Sequence, residues 1–192
     1  FVASLDSDGF TVGDDVVVNT STENYVSWNW KAGGAPTADN SAGVGATPTA
    51  GSVKIDGSNL GSALAGTIAA KRLSANTTSG FSIVQYVGTG SGATIAHGLS
   101  QAPDMVISKA LERGTANWRV GGEALGLTSA NYSMRLDLDD EENDNSNVFG
   151  AYPGPSVWTI GTDAGVNAST ENYIAYCFHS VEGYSKVGSY KG

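Results

Sequence analysis

The chain is poor in basic residues, in cysteine and in long apolar runs, and each scarcity excludes a class of protein. It has 10 Lys and Arg against 19 Asp and Glu among 192 residues, which gives a net charge of −9. Nucleic-acid binding usually requires a basic patch, so we expect no nucleic-acid partner. No apolar run is long enough for a membrane-spanning helix, so we expect no membrane insertion. The single cysteine, Cys177, cannot form an internal disulfide.

What the chain does contain is a repeat of part of its own sequence. Residues 10–30 (FTVGDDVVVNTSTENYVSWNW) align without a gap to residues 158–178 (WTIGTDAGVNASTENYIAYCF), at a constant offset of 148. A second echo relates residues 80–86 (GFSIVQY) to residues 183–190 (GYSKVGSY), with one residue inserted before the last tyrosine. Repetition at a fixed period is typical of tandem arrays.

The two echoes predict how the chain is organised. We expect residues 1–30 to be the C-terminal strands of a preceding repeat and residues 80–182 to be one complete repeat. Residues 183–192 would then be the first strand of a following repeat, and residues 31–79 a linker or insertion. A tandem arrangement of this kind favours a structural or adhesive role over a solitary enzyme.

Composition and turn spacing predict an all-β fold. The chain has 26 glycines, and its apolar residues come in short runs between clusters of Gly, Asn, Ser and Thr. Within the complete repeat, turn signals recur about every ten residues and separate roughly eight predicted strands. We therefore expect a jelly-roll-like (concanavalin-like) antiparallel β-sandwich.

The repeated strand carries bulky residues on one of its two faces. Trp28 and Trp30 share a face in the first copy, and Tyr176 and Phe178 take the same positions in the second. Because each aromatic side chain buries about 150–250 Å², we predict that these four residues belong to the sandwich core.

The insertion at residues 31–79 is predicted to dock on the repeat. Its first part is small, polar and linker-like, whereas Leu60, Leu64 and Ile68 lie at helical spacing. Glycines weaken the helix prediction. We expect either a short amphipathic helix or a docked strap, because a segment of this size cannot form its own core.

The two histidines and the cysteine carry the side chains best suited to nucleophilic catalysis. Cys177 and His179 lie two positions apart on a predicted strand, as a nucleophile and a base would, but Asn29 and Lys31 replace them in the other copy. We therefore interpret them as structural. His97 lies at a strand end and is interpreted as a hydrogen-bonded turn residue.

The charged cluster at residues 137–145 is a candidate calcium site. An EF-hand loop counted from Asp137 would need glycine at its sixth position and an acid at its twelfth, where this chain has Glu142 and Val148. A calcium site of another kind stays open, and so does a solvated loop without metal. The candidate ligands are Asp137, Asp139, Asp140, Glu142 and Asp144.

No sequence motif identifies a catalytic site. The chain has no phosphate-binding glycine loop, no zinc-ligand spacing and no hydrolase elbow. Its many carboxylates cannot be paired from sequence into the two that a glycosidase needs. We therefore predict no enzymatic activity, no catalytic residues and no cofactor other than calcium.

Three stretches of the chain resemble a repeat domain of structural and tail-fibre-like proteins of marine tailed bacteriophages. These are TENYVSWNWKAGG, SANTTSGFSIVQYVGTGSGATIAHGLSQAPDMVISK and VNASTENYIAYCFHSVEGYSKVGSY. The most specific pieces are residues 97–99 with 102–104 and residues 173–178 with 183–185. The resemblance implies a non-enzymatic component of the virion surface that forms homo-oligomers, a trimer being one such state, and contacts other virion proteins. The acidic run departs from the resemblance.

Three functions remain open beside a virion structural protein. The first is a carbohydrate-binding module for attachment to a host surface glycan, with Trp118, Tyr132 and Tyr152 as an aromatic platform and calcium in the acidic loop. The second is a cell-surface adhesive filament that carries the same repeat. The third is a depolymerase, for which polysaccharide cleavage would be the discriminating observation.

Overall fold

The computed structural model describes residues 1–191 and divides the chain into two compact units. The first is Phe1–Trp30 and the second is Lys31–Gly192. The insertion at residues 31–79 therefore lies in the same compact unit as residues 80–182.

The first unit is a small hairpin followed by a helical turn. Strands β1 (Val2–Leu5) and β2 (Phe10–Val12) pair antiparallel, and helix α1 (Val16–Asn19) follows. The segment from Asn24 to Trp30, which corresponds to the last strand of the complete repeat, forms no strand.

The second unit contains the remaining strands and two short helical turns. The turns are a 3-10 helix (Glu123–Leu125) and helix α2 (Ala164–Asn167). The strands are β3 (Val53–Ile55), β4 (Ser58–Asn59), β5 (Arg72–Asn76), β6 (Phe81–Val87), β7 (Ala93–Ala96), β8 (Met105–Ala110), β9 (Arg119–Gly121), β10 (Tyr132–Arg135), β11 (Asn143–Asp144), β12 (Val157–Ile160) and β13 (Asn172–Phe178).

The strands of the second unit form one large sheet and one small one. The large sheet has the order β11-β10-β9-β8-β13-β6-β5-β3-β4, and the small one pairs β12 with β7. All pairs in the large sheet are antiparallel except β3 with β5. With 30% strand and 6% helix, the all-β prediction is confirmed, and the arrangement is consistent with a β-sandwich.

The core lies between the large sheet and the β7–β12 pair. Alternate residues of β6 and β13 point into it, because successive side chains of a strand face opposite sides. Its largest fully buried side chains are Trp158, Tyr86, Tyr173, Leu73, Ile95 and Ile160. The rings of Tyr86 and Trp158 meet edge to face at 6.0 Å, which joins the two layers.

The inward face of the repeated strand is the opposite of the predicted one. On β13, Tyr173, Ala175 and Cys177 are fully buried, whereas Tyr176 and Phe178 are half-buried on the outer face. Side-chain size is a misleading guide here, because the small residues Ala175 and Cys177 pack into the same core as Trp158 and Tyr86, and those two large side chains come from other strands.

The prediction that the two tryptophans of the first copy lie in a core is also wrong. Trp28 is 73% exposed and Trp30 is 42% exposed, so neither lies in the core of the first unit. The physical reason is that the segment from Asn24 to Trp30 has no neighbouring strand within that unit, whereas β13 lies between β6 and β8.

The first part of the insertion is docked rather than a free linker. Asn40 N–H donates to the Lys71 carbonyl at 2.9 Å, and the Ser74 hydroxyl donates to the Gly34 carbonyl at 2.6 Å. Gly33 packs so closely that an added Cβ would lie 1.9 Å from the Ala75 carbonyl oxygen. These contacts fasten residues 33–40 along β5.

The second part of the insertion is a strap and not a helix. Residues 60–71 contain no helix, and Gly66 and Ile68 form bridges to Ile95 of β7. Ile68 is buried, and Leu60 and Leu64 pack against the core. Of the two predicted forms, the docked strap is therefore the one observed.

Candidate functional site

A compact hydrogen-bonded turn follows β12 in the complete repeat, and we call residues 163–173 its tyrosine turn. The Asp163 carboxylate caps α2 by accepting from Gly165 N–H at 2.7 Å. The Tyr173 hydroxyl accepts from Ala168 N–H at 2.8 Å and donates to the Ala164 carbonyl at 2.7 Å. One phenol therefore satisfies backbone groups at both ends of the helical turn.

The first unit forms the same tyrosine turn at residues 15–25. Asp15 caps α1 by accepting from Val17 N–H at 2.9 Å. The Tyr25 hydroxyl accepts from Thr20 N–H at 2.9 Å and donates to the Val16 carbonyl at 3.0 Å. Every donor and acceptor is displaced by 148 residues, so the sequence repeat is also a structural repeat.

Two further details match between the copies. The amide of Asn19, and that of Asn167, donates to the carbonyl of the glycine six residues upstream, at 3.0 and 2.7 Å. Thr22 and Thr170 both adopt positive φ, at 73° and 67°, which is unusual for a β-branched residue. The turn is thus specified within about eleven residues and forms in both units.

The surroundings of the two tyrosine turns differ. Tyr173 is fully buried, whereas Tyr25 is 50% exposed. In the complete repeat, Tyr86 of β6 covers the turn: its ring stacks on Tyr173 at 5.2 Å and its hydroxyl donates to the Val166 carbonyl at 2.8 Å. Burial raises the pKa of Tyr86.

The loop after β6 completes this cover. Gly88 N–H donates to the Glu171 carbonyl at 2.9 Å, and Thr89 N–H donates to the Asn167 side-chain oxygen at 2.8 Å. In return, the Asn167 amide donates to the Ser91 carbonyl at 2.6 Å. Residues 81–91 are therefore the part of the repeat that closes over the tyrosine turn.

Removing the hydroxyl of Tyr173 should destabilise the protein far more than removing that of Tyr25. We expect Tyr173→Phe to cost about 1–3 kcal/mol, because its two hydrogen bonds are part-buried beside the fully buried tyrosine ring, where water replaces the hydroxyl poorly. We expect Tyr25→Phe to change stability by less than about 0.5 kcal/mol, because water reaches the freed groups. Urea unfolding measures the free energy of unfolding of both variants, with Tyr176→Phe as a control on the same strand. Equal losses of stability for Tyr173→Phe and Tyr25→Phe would contradict the argument.

The predicted core aromatics of β13 instead form a cluster on the outer face of the large sheet. Phe81 stacks with Tyr176 at 6.5 Å between ring centroids and packs against Phe178 at 4.9 Å. Trp118 also stacks with Tyr176, at 6.2 Å between ring centroids, and the Lys109 ammonium lies 5.9 Å from the Trp118 ring centroid. Aromatic side chains that pack against one another therefore cover this part of the outer face.

Of the three aromatic residues predicted for a glycan platform, two line a common pocket. Tyr132 and Tyr152 line the same pocket, together with Phe149 and Trp158. Trp118 is not among the residues that line this pocket and stacks on Tyr176 instead.

The acidic residues of the 137–145 loop have separate local surroundings. Asp137 accepts from Trp118 N–H at 3.1 Å, and Asp140 forms an ion pair with Arg135 at 3.1 Å. Asp139 lies between them and is exposed. Asp144 lies in β11, opposite Tyr132.

The electrostatics of this loop follow from those surroundings. Glu142 accepts hydrogen bonds from the hydroxyl and the N–H of Thr128, and these hold the pKa of its carboxyl below the usual value. Desolvation acts to raise the pKa of Asp137, but its bonds from Trp118 and Asn117 outweigh this and lower it.

Within residues 1–191, no three His, Cys, Asp or Glu side chains are grouped so that they could hold a metal ion. The five predicted calcium ligands are not brought together as a set. Calcium binding by this loop stays a prediction, and titration with Ca²⁺ followed by chelation tests it.

Cys177 and His179 do not resemble an activated nucleophile and its base. Cys177 is fully buried, and burial raises the pKa of its thiol to about 12. The His179 Nδ1 atom lies 2.7 Å from the Gln101 side-chain nitrogen and 3.0 Å from the Ser180 carbonyl oxygen. Because the thiolate is the nucleophilic form, this cysteine is unreactive at neutral pH.

Cys177 should accordingly resist alkylation in the folded protein. We expect iodoacetamide to modify it at least about a hundredfold more slowly than in the urea-unfolded chain, because labelling requires opening of the sheet. Mass spectrometry over time measures both rates. Native labelling as fast as in the unfolded chain would contradict the burial of this thiol.

His97 is a fully bonded neutral histidine. Its Nδ1 atom accepts from Leu99 N–H at 3.1 Å, and its Nε2 atom lies 3.2 Å from the Gly154 carbonyl oxygen. Only the neutral ring with its proton on Nε2 satisfies both contacts. Burial lowers the pKa of His97 to about 4, so its interpretation as a hydrogen-bonded turn residue agrees with these contacts.

These features define an all-β protein that forms one structural motif twice, in two separate units. The chain belongs to the family described as domain of unknown function (DUF7483), whose model matches residues 1–55 and again residues 54–192. No curated protein and no solved structure matches the chain significantly. Among residues 1–191, no helix has the length and apolar character needed to cross a membrane.

The hydrogen-bond network of the tyrosine turn was missed from sequence. The signal was present in the pairs Asp15/Asp163 and Tyr25/Tyr173, which are identical in both copies. Ten residues separate the aspartate from the tyrosine, and no periodicity rule for strands or helices relates two residues at that distance.

Proposed function

We propose that this chain is a non-enzymatic structural protein of a tailed-phage virion, as part of a fibre, an appendage or a capsid decoration. The observation that carries the proposal is the tyrosine turn, which is formed twice with matching hydrogen bonds. Duplicated modules of this kind suit an extended assembly. The resemblance to phage structural repeats supports the virion surface as its location.

The chemistry of the polar residues supports a role without catalysis. The Cys177 thiol is protonated, and both His97 nitrogens are engaged with backbone groups. Asp137 and Glu142 accept bonds from nearby backbone N–H groups. Each of these side chains therefore has a structural use.

Immunogold electron microscopy tests the location. Antibody raised against residues 80–182 is applied to purified phage particles, with antibody pre-absorbed on the recombinant chain as the control. We expect label on the capsid or tail, and its position separates decoration from fibre. Label confined to cells or to free filaments would overturn the virion proposal in favour of an adhesive filament.

Two assays test the depolymerase and carbohydrate-binding hypotheses. We expect no release of reducing ends when the chain is incubated with host surface polysaccharide, with heat-denatured protein as the control. Cleavage would establish a depolymerase. Binding on a glycan array that is lost with a chelator would establish a calcium-dependent carbohydrate-binding module instead.

A further inference from the structure

Three polar side chains from distant parts of the sequence meet on the second unit. Lys71 ends the strap, Glu112 follows β8, and Asn172 is the first residue of β13. The Lys71 ammonium lies 3.5 Å from the Asn172 side-chain oxygen, although 101 residues separate the two along the chain. Because β6 lies between β5 and β13 in the large sheet, the contact joins the end of the strap to β13 past an intervening strand.

The side-chain amide of Asn172 is held in one orientation. Its nitrogen donates to Glu112 Oε1 at 2.6 Å, and the Asn172 backbone N–H donates to Glu112 Oε2 at 3.3 Å. An ammonium can only donate hydrogen bonds and a carboxylate can only accept them. The amide therefore turns its oxygen to Lys71 and its nitrogen to Glu112.

This arrangement contains the groups that an exchange of one amide for another requires. They are an amine that can act as a nucleophile, the carbonyl carbon of a primary amide, and a carboxyl group beside the nitrogen that has to leave. Holding reacting groups about 3–3.5 Å apart removes much of the entropic barrier to their reaction. The 3.5 Å contact between Lys71 and Asn172 is at this distance.

Asp39 positions the Lys71 ammonium without depending on it for charge balance. Asp39 Oδ2 lies 3.6 Å from Lys71 Nζ, and Asp39 Oδ1 accepts a hydrogen bond from Arg72 Nε. Because Arg72 already balances the Asp39 charge, Lys71 can lose its own charge without leaving that carboxylate unpaired. The Lys71 side chain is 33% exposed, so water can take up the proton.

We propose that Lys71 and Asn172 become joined by an isopeptide bond, with Glu112 as the proton carrier. The Lys71 ammonium loses one proton to water, and its nitrogen then forms a bond to Cγ of Asn172. A second proton passes from Nζ through the Glu112 carboxylate to Nδ2, the bond between Cγ and Nδ2 breaks, and ammonia leaves. One carbon–nitrogen bond replaces another, so nothing is oxidised or reduced and no co-reactant is consumed.

The bond is a single event within one chain and not an enzymatic turnover. It ties the strap permanently to β13, the strand in the middle of the large sheet. It also closes a loop between two residues that are 101 positions apart, which restricts the unfolded chain. Both effects oppose unfolding of the second unit.

Intact-mass spectrometry of the purified, folded chain tests for the bond. We expect the mass to be lower than that of the sequence by one ammonia. Trypsin does not cleave after a lysine whose amine is acylated, so digestion should yield residues 55–72 joined to residues 136–186. On a denaturing gel, the linked chain should migrate ahead of an unlinked one, because its closed loop keeps it more compact.

Two variants test the roles of the amine and the carboxylate. Lys71→Arg keeps the positive charge but has no amine that can be deprotonated, so we expect it to have the full mass of its sequence. Glu112→Gln removes the proton carrier, so we expect the bond to form about a hundredfold more slowly, as followed by mass after cell-free synthesis. Lys54→Arg on β3 is the matched control and should link like the wild type. Thermal unfolding verifies that each variant is folded.

Three outcomes would overturn the proposal. The first is a folded wild type with the full mass of its sequence. The second is a loss of ammonia that persists in Lys71→Arg, because an asparagine would then have closed a succinimide on its own backbone. The third is a Glu112→Gln variant that links as fast as the wild type. None of these outcomes depends on where the protein is located, so the proposal and the virion function can fail separately.

Discussion

Gly122→Ala is expected to destabilise the second unit by about 3–5 kcal/mol, far more than a methyl group added at an open glycine. Gly122 follows β9 and has a φ of +153°. A Cβ at this position would lie 2.0 Å from the Asp104 carbonyl oxygen, a backbone atom immediately before β8. Neither strand can move away without breaking the β8–β9 pairing, so the clash cannot be relieved by a side-chain rotation.

Alanine substitutions at two other glycines distinguish the effect of the steric clash on stability from the effect of backbone strain. Gly57 has a φ of +86° and nothing within 4 Å of an added Cβ, so Gly57→Ala should cost only about 1 kcal/mol of strain. Gly43 has open space and no positive φ, so Gly43→Ala should be within about 0.5 kcal/mol of the wild type. Urea midpoints compare the three variants. A Gly122→Ala variant no less stable than Gly57→Ala would show that β8 and β9 are not in this contact.

Acidification is expected to remove about 3 kcal/mol of stability through His97 alone. Its pKa is about 4 in the folded protein against an ordinary value of 6.5, and one pKa unit corresponds to about 1.4 kcal/mol. Because folding lowers this pKa, the unfolded chain binds a proton first as the pH falls. The contribution is therefore complete above pH 6.5 and is lost progressively as the pH approaches 4.

The measurement is the free energy of unfolding in urea at several values between pH 6.5 and pH 4. We expect His97→Gln to be less stable than the wild type at neutral pH, because its contacts and packing are altered, but to lose much less stability on acidification. Parallel pH profiles for the wild type and His97→Gln would refute the assignment.

The all-β fold and the repeat are readable from sequence because both depend on short-range patterns. Runs of alternating or apolar residues predict β6, β8 and β13, and the identity of residues 21–25 with residues 169–173 predicts a common local structure. The pairing between distant strands is not predictable in this way. The parallel pairing of β3 with β5 joins two strands of the insertion, and no local signal specifies it.

The inward face of β13 could not be predicted because burial depends on what lies opposite. Its two faces are both apolar, with Ile174, Tyr176 and Phe178 on one and Tyr173, Ala175 and Cys177 on the other. Trp158 of the small sheet packs against this second face, where Tyr86 of the neighbouring strand β6 also lies, and this packing makes it the inner face. Both residues come from other strands, one of them more than eighty positions away along the sequence.

The candidate site is partly accessible to sequence reasoning. The tail segment 183–190 is recognisable from sequence as a counterpart of β6. The acidic loop is conspicuous in sequence, but Asp137, Glu142 and Asp140 are engaged by the backbone N–H groups of Trp118 and Thr128 and by Arg135, respectively. Those partners precede the loop by different distances along the chain, and sequence spacing alone does not reveal them.

The central position of β13 has a consequence for synthesis on the ribosome. Strands β6 and β8 are translated before β13. They do not pair with each other, because β13 lies between them in the sheet. The edges of β6 and β8 that pair with β13 therefore have no strand partner until residues 172–178 have been translated and have left the exit tunnel. Closing such a long loop is slow compared with forming the local tyrosine turn. During that delay, a nascent repeat can accept the last strand of a neighbouring repeat, so the order of synthesis influences which strands end up paired.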